Sequence, residues 1–312
     1  MSSAIDRPLR AAILAAADNS MVRRVVTRYG MRLGARRFVA GETADELLTV
    51  AREVERQGFA VSATFLGESV REREGTAAAG DEYRGLLERL AEADLDGTVA
   101  FKLTQLGLDI DPELAFENAV RIAMVANKRR SSVRLDMEQS QYVDATLHIY
   151  RRLREIYPHV GCALQAYLYR SRDDLACLLP LAPNVRIVKG AYLEPSSLAY
   201  ANKGDVDANY VRLVELALSA DGYTAIATHD PQIIEQVIGL AERRGLPKRG
   251  RFEFELLYGI GEPIGRELLL RGYRVRLLIS YGAYWFPYLM RRLAERPANL
   301  AFFLRNAFAI RK

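Results

Sequence analysis

Cysteine is nearly absent: the chain has 312 residues and two cysteines, Cys162 and Cys177. Two thiols cannot staple a disulfide scaffold or complete a four-cysteine zinc site. Histidine is as scarce, with three residues far apart in sequence, which weighs against a metal enzyme. No apolar run approaches the roughly 20 residues that a membrane helix needs. The alanine-rich stretch 11–17 is short and sits between Asp6 and Asp18, so it reads as a helix rather than an export signal. No repetitive tract is present, which excludes disorder, collagen and a coiled coil as the main architecture. A zinc finger, an RNP-like aromatic strand and a helix-turn-helix are all missing, so nucleic acid is the weakest candidate partner. The expectation is a soluble, cytoplasmic chain.

Half of the residues are hydrophobic, enough for one large α/β domain or two ordinary ones. Net charge is +5, from 44 basic and 39 acidic side chains. It is unevenly spread: residues 241–312 hold 15 basic and 6 acidic residues, a surplus of nine, and the rest of the chain is net negative. Something anionic is expected near the C-terminal quarter: a phosphate-bearing cofactor, a carboxylate substrate, an acidic lipid surface or nucleic acid.

Periodicity makes the first 60 residues helical, with Leu47, Leu48, Val50, Ala51 and Val54 on one face after Thr43;. Eight short β-branched or apolar runs follow, at 61–66, 98–103, 132–137, 161–167, 185–191, 223–229, 251–257 and 273–279. Helix-compatible stretches lie between them, at 111–128, 140–156, 206–220, 231–244, 264–271 and 287–304. Eight strand–helix units in about 250 residues fit a closed (β/α)8 barrel. The division expected is an N-terminal helical segment, 1–58, and a barrel, 59–312. A doubly wound open sheet is the alternative, but it usually carries a glycine fingerprint. Only Gly259-Ile260-Gly261-Glu262-Pro263-Ile264-Gly265 comes near one. Its third glycine is one residue late and Pro263 interrupts it, so it reads as a turn that launches a helix.

In a barrel, functional side chains gather at the C-terminal ends of the strands. Those ends read Gly67-Glu68, Lys102, Asp136-Met137-Glu138, Gln165, Lys189-Gly190-Ala191-Tyr192, Thr228-His229-Asp230, Glu255 and Ser280-Tyr281. Singly each has a structural explanation; together they are more than a packed core needs. After the last strand, Tyr288, Arg291, Arg292 and Glu295 share one flank of a helix by their i, i+3, i+4, i+7 spacing;. Two planar guanidinium forks beside a phenol suit a carboxylate.

These residues resemble the proline dehydrogenases, in their short monofunctional bacterial form. The segments that carry the likeness include Arg37-Phe38-Val39-Ala40-Gly41-Glu42-Thr43, Arg134-Leu135-Asp136-Met137-Glu138 and Gln165-Ala166-Tyr167. Further on come Arg186-Ile187-Val188-Lys189-Gly190-Ala191-Tyr192, Ala227-Thr228-His229, Phe252 to Gly259, Tyr288 to Glu295, and Asn299. The likeness runs from about residue 35 to the end.

The resemblance implies a distorted barrel that holds FAD and oxidises L-proline to 1-pyrroline-5-carboxylate, with electrons passed to a quinone. It implies that Lys102, Arg291 and Arg292 hold the substrate carboxylate. Tyr288 and Leu256 would wall the ring, with Ala191, Tyr192 and Leu278 bordering the same pocket. Asp136, Met137, Gln165, Arg186, Lys189, Gly190, Ala191, Tyr192, Thr228, His229 and Glu295 would surround the flavin. Lys102, Asp136 and Arg186 would act in catalysis.

Two departures stand out. The family usually reads Tyr-Val-Pro-Tyr-Gly on the eighth strand, where this chain has Leu278-Ile279-Ser280-Tyr281-Gly282. Leu278 in the tyrosine's place opens a second reading, an oxidase of a hydroxylated proline or another cyclic imino acid. Asp230 stands where the family often has Asn. A third reading, from outside enzymes, is a non-catalytic barrel that binds acidic partners. Peripheral contact with the inner face of a membrane and a partner pyrroline-carboxylate dehydrogenase stay open at this point.

Overall fold

The computed structural model describes residue 13 and residues 19–31, 34–67 and 70–295, apart from the side chains of Val25 and Glu295. Eight parallel strands close into a barrel in sequence order. They are β1 (Ala60–Phe65), β2 (Gly97–Phe101), β3 (Ser132–Leu135), β4 (Val160–Gln165), β5 (Asn184–Val188), β6 (Tyr223–Ala227), β7 (Phe252–Leu257) and β8 (Val275–Tyr281). Closure comes from β8 pairing with β1, Ala60 opposite Arg276 through Phe65 opposite Tyr281.

Ten helices are described: α1 (Ser20–Tyr29), α2 (Ala44–Arg56), α3 (Arg73–Glu92), α4 (Pro112–Lys128), α5 (Val143–Ile156), α6 (Ser171–Leu178), α7 (Lys203–Ser219), α8 (Pro231–Arg243), α9 (Glu262–Leu270) and α10 (Trp285–Glu295). Local chemistry sets several starts. Thr43 and Glu46 form a capping box at α2;. Asp111 and Asp230 cap α4 and α8, each followed by proline at the first helical position;. The 259–265 segment does launch a helix, with Gly261 at the cap of α9. Helices α3 and α6 have no counterpart among the stretches read from periodicity. Glycines at 75, 80 and 85 dilute the apolar stripe of α3, and α6 buries only Ser171, Leu175 and Leu178. The last strand also lies two residues later than its pattern suggested, because Tyr273 packs with Phe252 and Phe254 in the turn before it.

The barrel is distorted at its seam. Helix α2 packs across β1 and β8, and its Leu47, Leu48, Ala51 and Val54 belong to the main core. The expected division at residue 58 therefore does not separate two cores. With that berth filled, α10 turns over the strand ends instead. There Trp285, Leu289 and Leu293 share a second, smaller core with Ala35, Phe38, Val39 and Leu66. The Trp285 indole donates to Glu42 at 2.8 Å, and α10 packs on α1. Two backbone bonds, from Ala40 to Ser280 and from Gly282 to Gly41, tie the N-terminal segment along the end of β8. Among the described residues no helix is long and apolar enough to cross a membrane.

Candidate active site

The barrel interior is ionic rather than a stack of aliphatic layers. Arg276 reaches Glu253 at 2.8 Å in the lower half. Above them Glu255 is shared, through Oε2 with Arg134 at 2.5 Å and through Oε1 with Arg186 at 2.9 Å. Arg186 also pairs with Asp136 at the upper mouth. The contacts among β3, β5 and β7 cross the barrel, so residues 134, 136, 186 and 255 face inward, and 253 and 276 share their side by alternation and by the register of Glu255 opposite Arg276;. Burial works against ionising Glu253, but Arg276, Arg134 and Arg274 overcome it and hold its carboxyl down at about 2;.

Strand alternation then fixes what lines the mouth above this ladder. One pleat beyond the inward charges come Val188, Leu257 and Leu278, with Ala227 opposite Glu255 in register. All four are half-buried in strands whose other residues are mostly buried. They form an apolar platform at the C-terminal end, with Asp136 and Arg186 beside it.

Alternation also corrects one assignment. Leu256, expected to wall the substrate ring, is 1% exposed and points to the helical layer. It and Phe59 fill the space that Gly265 of α9 leaves. The neighbour Leu257 takes the inward position.

The other expected residues are distributed around this mouth. Lys102 is half-buried at the cap of a short 3-10 helix after β2, and its charge favours the ionised form of Glu138. Glu138 is buried, accepts from the Thr104 hydroxyl at 2.8 Å, and has its pKa raised chiefly by that burial. Met137 is buried, and Gln165 spends its amide on the carbonyl of Glu138 at 2.8 Å. Lys189 is drawn into a charge ring with Asp207 and Asp230, and Lys203 bridges the same two carboxylates. Burial again opposes ionisation of Asp230, and Lys189 followed by Lys203 brings its carboxyl down to about 2.

Gly190 has φ +116°, and a Cβ there would strike the Tyr167 ring, so the backbone presses on an aromatic face that no other residue type allows. The Thr228 hydroxyl accepts from the Asp230 amide at 3.1 Å, and His229 Nε2 accepts from the Leu257 amide at 2.9 Å. His229 therefore carries its neutral-form proton on Nδ1. Ala191 is exposed and Tyr192 half-buried. Burial raises the Tyr192 pKa, helped by Glu138 and Asp136 and opposed by Arg291.

That opposition puts Arg291 of α10 within electrostatic reach of the mouth, although its side chain is exposed. Arg292 is 9% exposed, with its guanidinium 5.1 Å from the Tyr288 ring centre. The Tyr288 hydroxyl is buried and has no hydrogen-bond partner among the described residues. A buried phenol in that state is poised for a ligand. The side chain of Glu295 lies outside the described set, as do Glu68 and Asn299.

Arg134 and the central place of Glu255 were not foreseen. The signal was present: charged residues on every second position of otherwise apolar strands, 134 and 136, then 253 and 255, mark a polar inner face.

The platform and the buried unpaired groups near it fit a flavin. A flat ring needs an apolar face, Gly190 brings backbone close, and the buried Arg186 Nε and Tyr288 hydroxyl both lack partners among the described residues.

Comparison with known proteins agrees with this geometry. The family model described as "Proline dehydrogenase" matches residues 47–305. The chain is 40% identical over 307 residues to "Proline dehydrogenase" of Deinococcus radiodurans, covering 97% of this chain and 98% of that one. It is 38% identical over 298 residues to "Proline dehydrogenase 1" of Bacillus subtilis subsp. natto, covering 96% and 98%. Among solved structures, proline utilization A of Bdellovibrio bacteriovorus, inactivated by N-propargylglycine, superposes with TM-score 0.80 at 26% identity. That match covers 88% of this chain and 34% of the larger one. A closed barrel with its last described helix folded over an ionic mouth, together with these near-full-length likenesses, makes this chain a member of the proline dehydrogenase family.

Proposed function

We propose that this protein oxidises L-proline to 1-pyrroline-5-carboxylate with FAD as cofactor, passing electrons to a quinone and product to a partner pyrroline-carboxylate dehydrogenase. The observation that carries the reading is one mouth combining an apolar platform, the Asp136–Arg186 pair and the buried Arg292–Tyr288 contact. FAD, when bound, supplies the two-electron acceptor for the hydride lost from the substrate ring.

The chain's own residues do the rest. Arg292, Arg291 and Lys102 orient the substrate through its carboxylate, the one strong handle on so small a molecule. Their combined positive field lowers the pKa of the substrate ammonium and favours the neutral amine that hydride loss requires. Tyr288, Tyr192 and Leu257 wall the ring and exclude water. Gln165, Lys189, Gly190, Thr228 and His229 shape the cofactor cradle from strand ends, and Arg186 places a cation beside it. We assign cofactor holding to residues 59–312, with α2 of the preceding segment closing the wall.

Leu278 favours a second substrate reading. It is half-exposed on the inner face, where a family tyrosine would add a hydroxyl, so a hydroxylated proline or a larger ring has room. An anaerobic titration of the purified protein separates these readings. A yellow protein bleached by L-proline supports the first, and a kcat/KM for 4-hydroxyproline or pipecolate well above that for L-proline moves the assignment to the second. A colourless protein that FAD cannot reconstitute removes both.

A further inference from the structure

The opposite mouth of the barrel, at the N-terminal ends of the strands, opens into a cavity of about 530 Å³. Barrel floors usually serve stability alone, but this one is strongly cationic. Seven arginines line it against two carboxylates, Asp96 and Glu253. Arg274 and Arg276 are held by those two acids.

Of the other five, Arg134 pairs with Glu255, and four are not neutralised. Arg129, Arg130, Arg154 and Arg249 have no carboxylate within ion-pair distance among the described residues. Arg154 gives its protons to the carbonyls of Val160, Leu181 and Ala182, and Arg249 gives Nε to Gly272. Deeper in, Arg134 is 2% exposed. It donates to Glu255 and Asn184 while its buried Nε has no acceptor among the described residues. That leaves a guanidinium in the cavity wall with one donor unspent;. Hydroxyls of Thr98, Ser131 and Ser132 line the same space.

We infer that this floor cavity is a second binding site, for a multiply charged phosphate such as a pyrophosphate or nucleoside diphosphate group. Charge decides the class. A single carboxylate would leave most of the guanidiniums unmatched, whereas two linked phosphates present several oxygens to planar forks at once. The volume lies within the range of small-ligand pockets. The site also takes up part of the basic surplus of the C-terminal quarter through Arg249, which proline chemistry at the other mouth does not use.

The test is calorimetric titration of the full-length flavin-loaded protein with inorganic pyrophosphate, ADP and adenosine at constant ionic strength. Saturable 1:1 binding of pyrophosphate and ADP, but not adenosine, is expected, weakening as KCl rises. Tighter binding of ADP than pyrophosphate would assign a nucleotide, and equal binding the free diphosphate. The Arg129→Ala/Arg249→Ala variant should bind at least about tenfold more weakly, while Arg292→Ala at the upper mouth should bind as the parent does. That last arm keeps the result separate from the fate of the proline reading. If the double variant melts lower, the exposed single change Arg249→Glu takes its place and must abolish binding. No saturable heat from either phosphate, binding untouched by the floor substitutions, or saturation only by a nucleic-acid strand would overturn the proposal.

Discussion

Two adjacent leucines provide the sharpest test of the barrel geometry. Leu256 is 1% exposed and packs against Phe59 beside Gly265 of α9. Leu256→Ala would empty a space bordered by a glycine, with no side chain on that residue to collapse into it. Leucine-to-alanine changes in cores cost about 2–5 kcal/mol, the upper end where the gap persists. A loss of about 3–5 kcal/mol is expected here. Leu257 is half-buried on the inner face, where water already reaches it, so Leu257→Ala should cost only about 1 kcal/mol in stability. Its burden falls on ligand contact, where a lost apolar face worth about 1.4 kcal/mol is a tenfold rise in KM. Urea unfolding and steady-state kinetics on both variants check the pair. Leu256→Ala should be the unstable one with a near-normal KM, Leu257→Ala the stable one with a weakened substrate. The reverse pattern would mean that β7 is out by one residue, and the inner-face argument would fall with it.

Other outcomes follow from the same contacts. Glu255→Gln leaves Arg134 and Arg186 buried with one carboxylate fewer between them, and should cost about 3–5 kcal/mol; an unfolding free energy within about 1 kcal/mol of the parent would deny the shared clamp. Gly190→Ala forces a left-handed φ and a methyl into the Tyr167 ring; a lower Tm and weaker flavin retention are expected, and an unchanged flavin content would clear that turn of any role. Acid should destabilise the fold through Glu253 and Asp230, whose folded pKa values lie below their unfolded ones, at about 2. Their stabilisation is complete above the unfolded carboxylate pKa of about 4, and fades as pH drops toward 2. Tm measured from pH 5 down to pH 3 should fall, with a shallower slope in Asp230→Asn; a flat profile contradicts the pairing.

Much of this architecture could be read from residue order. Eight β-branched runs at strand–helix spacing placed all eight strands to within a few residues, because parallel strands buried on both faces are nearly continuous apolar segments. The i, i+3, i+4 arrangement of Tyr288, Arg291 and Arg292 correctly put them on one helix. Which of two neighbouring leucines faces inward was less accessible, since a Leu-Leu pair has no polarity to orient it. Glu253 and Glu255 would have resolved it, because carboxylates in an apolar strand must face the polar interior. The position of α10 was hidden for a different reason. It depends on α2 already covering the strands where the eighth helix would lie, a competition between segments about 240 residues apart that no local window records.

That substitution has a consequence for assembly during synthesis. The helix over the barrel's closing joint is made early, yet only the β1 half of its berth exists until the last strand leaves the ribosome. Every intermediate lacking residues 275–281 therefore carries an amphipathic helix with only half of its docking surface and a bare edge at β1;. The order of manufacture leaves completion to the final segment, and the fold should mature in one late, cooperative step rather than by accretion from the front.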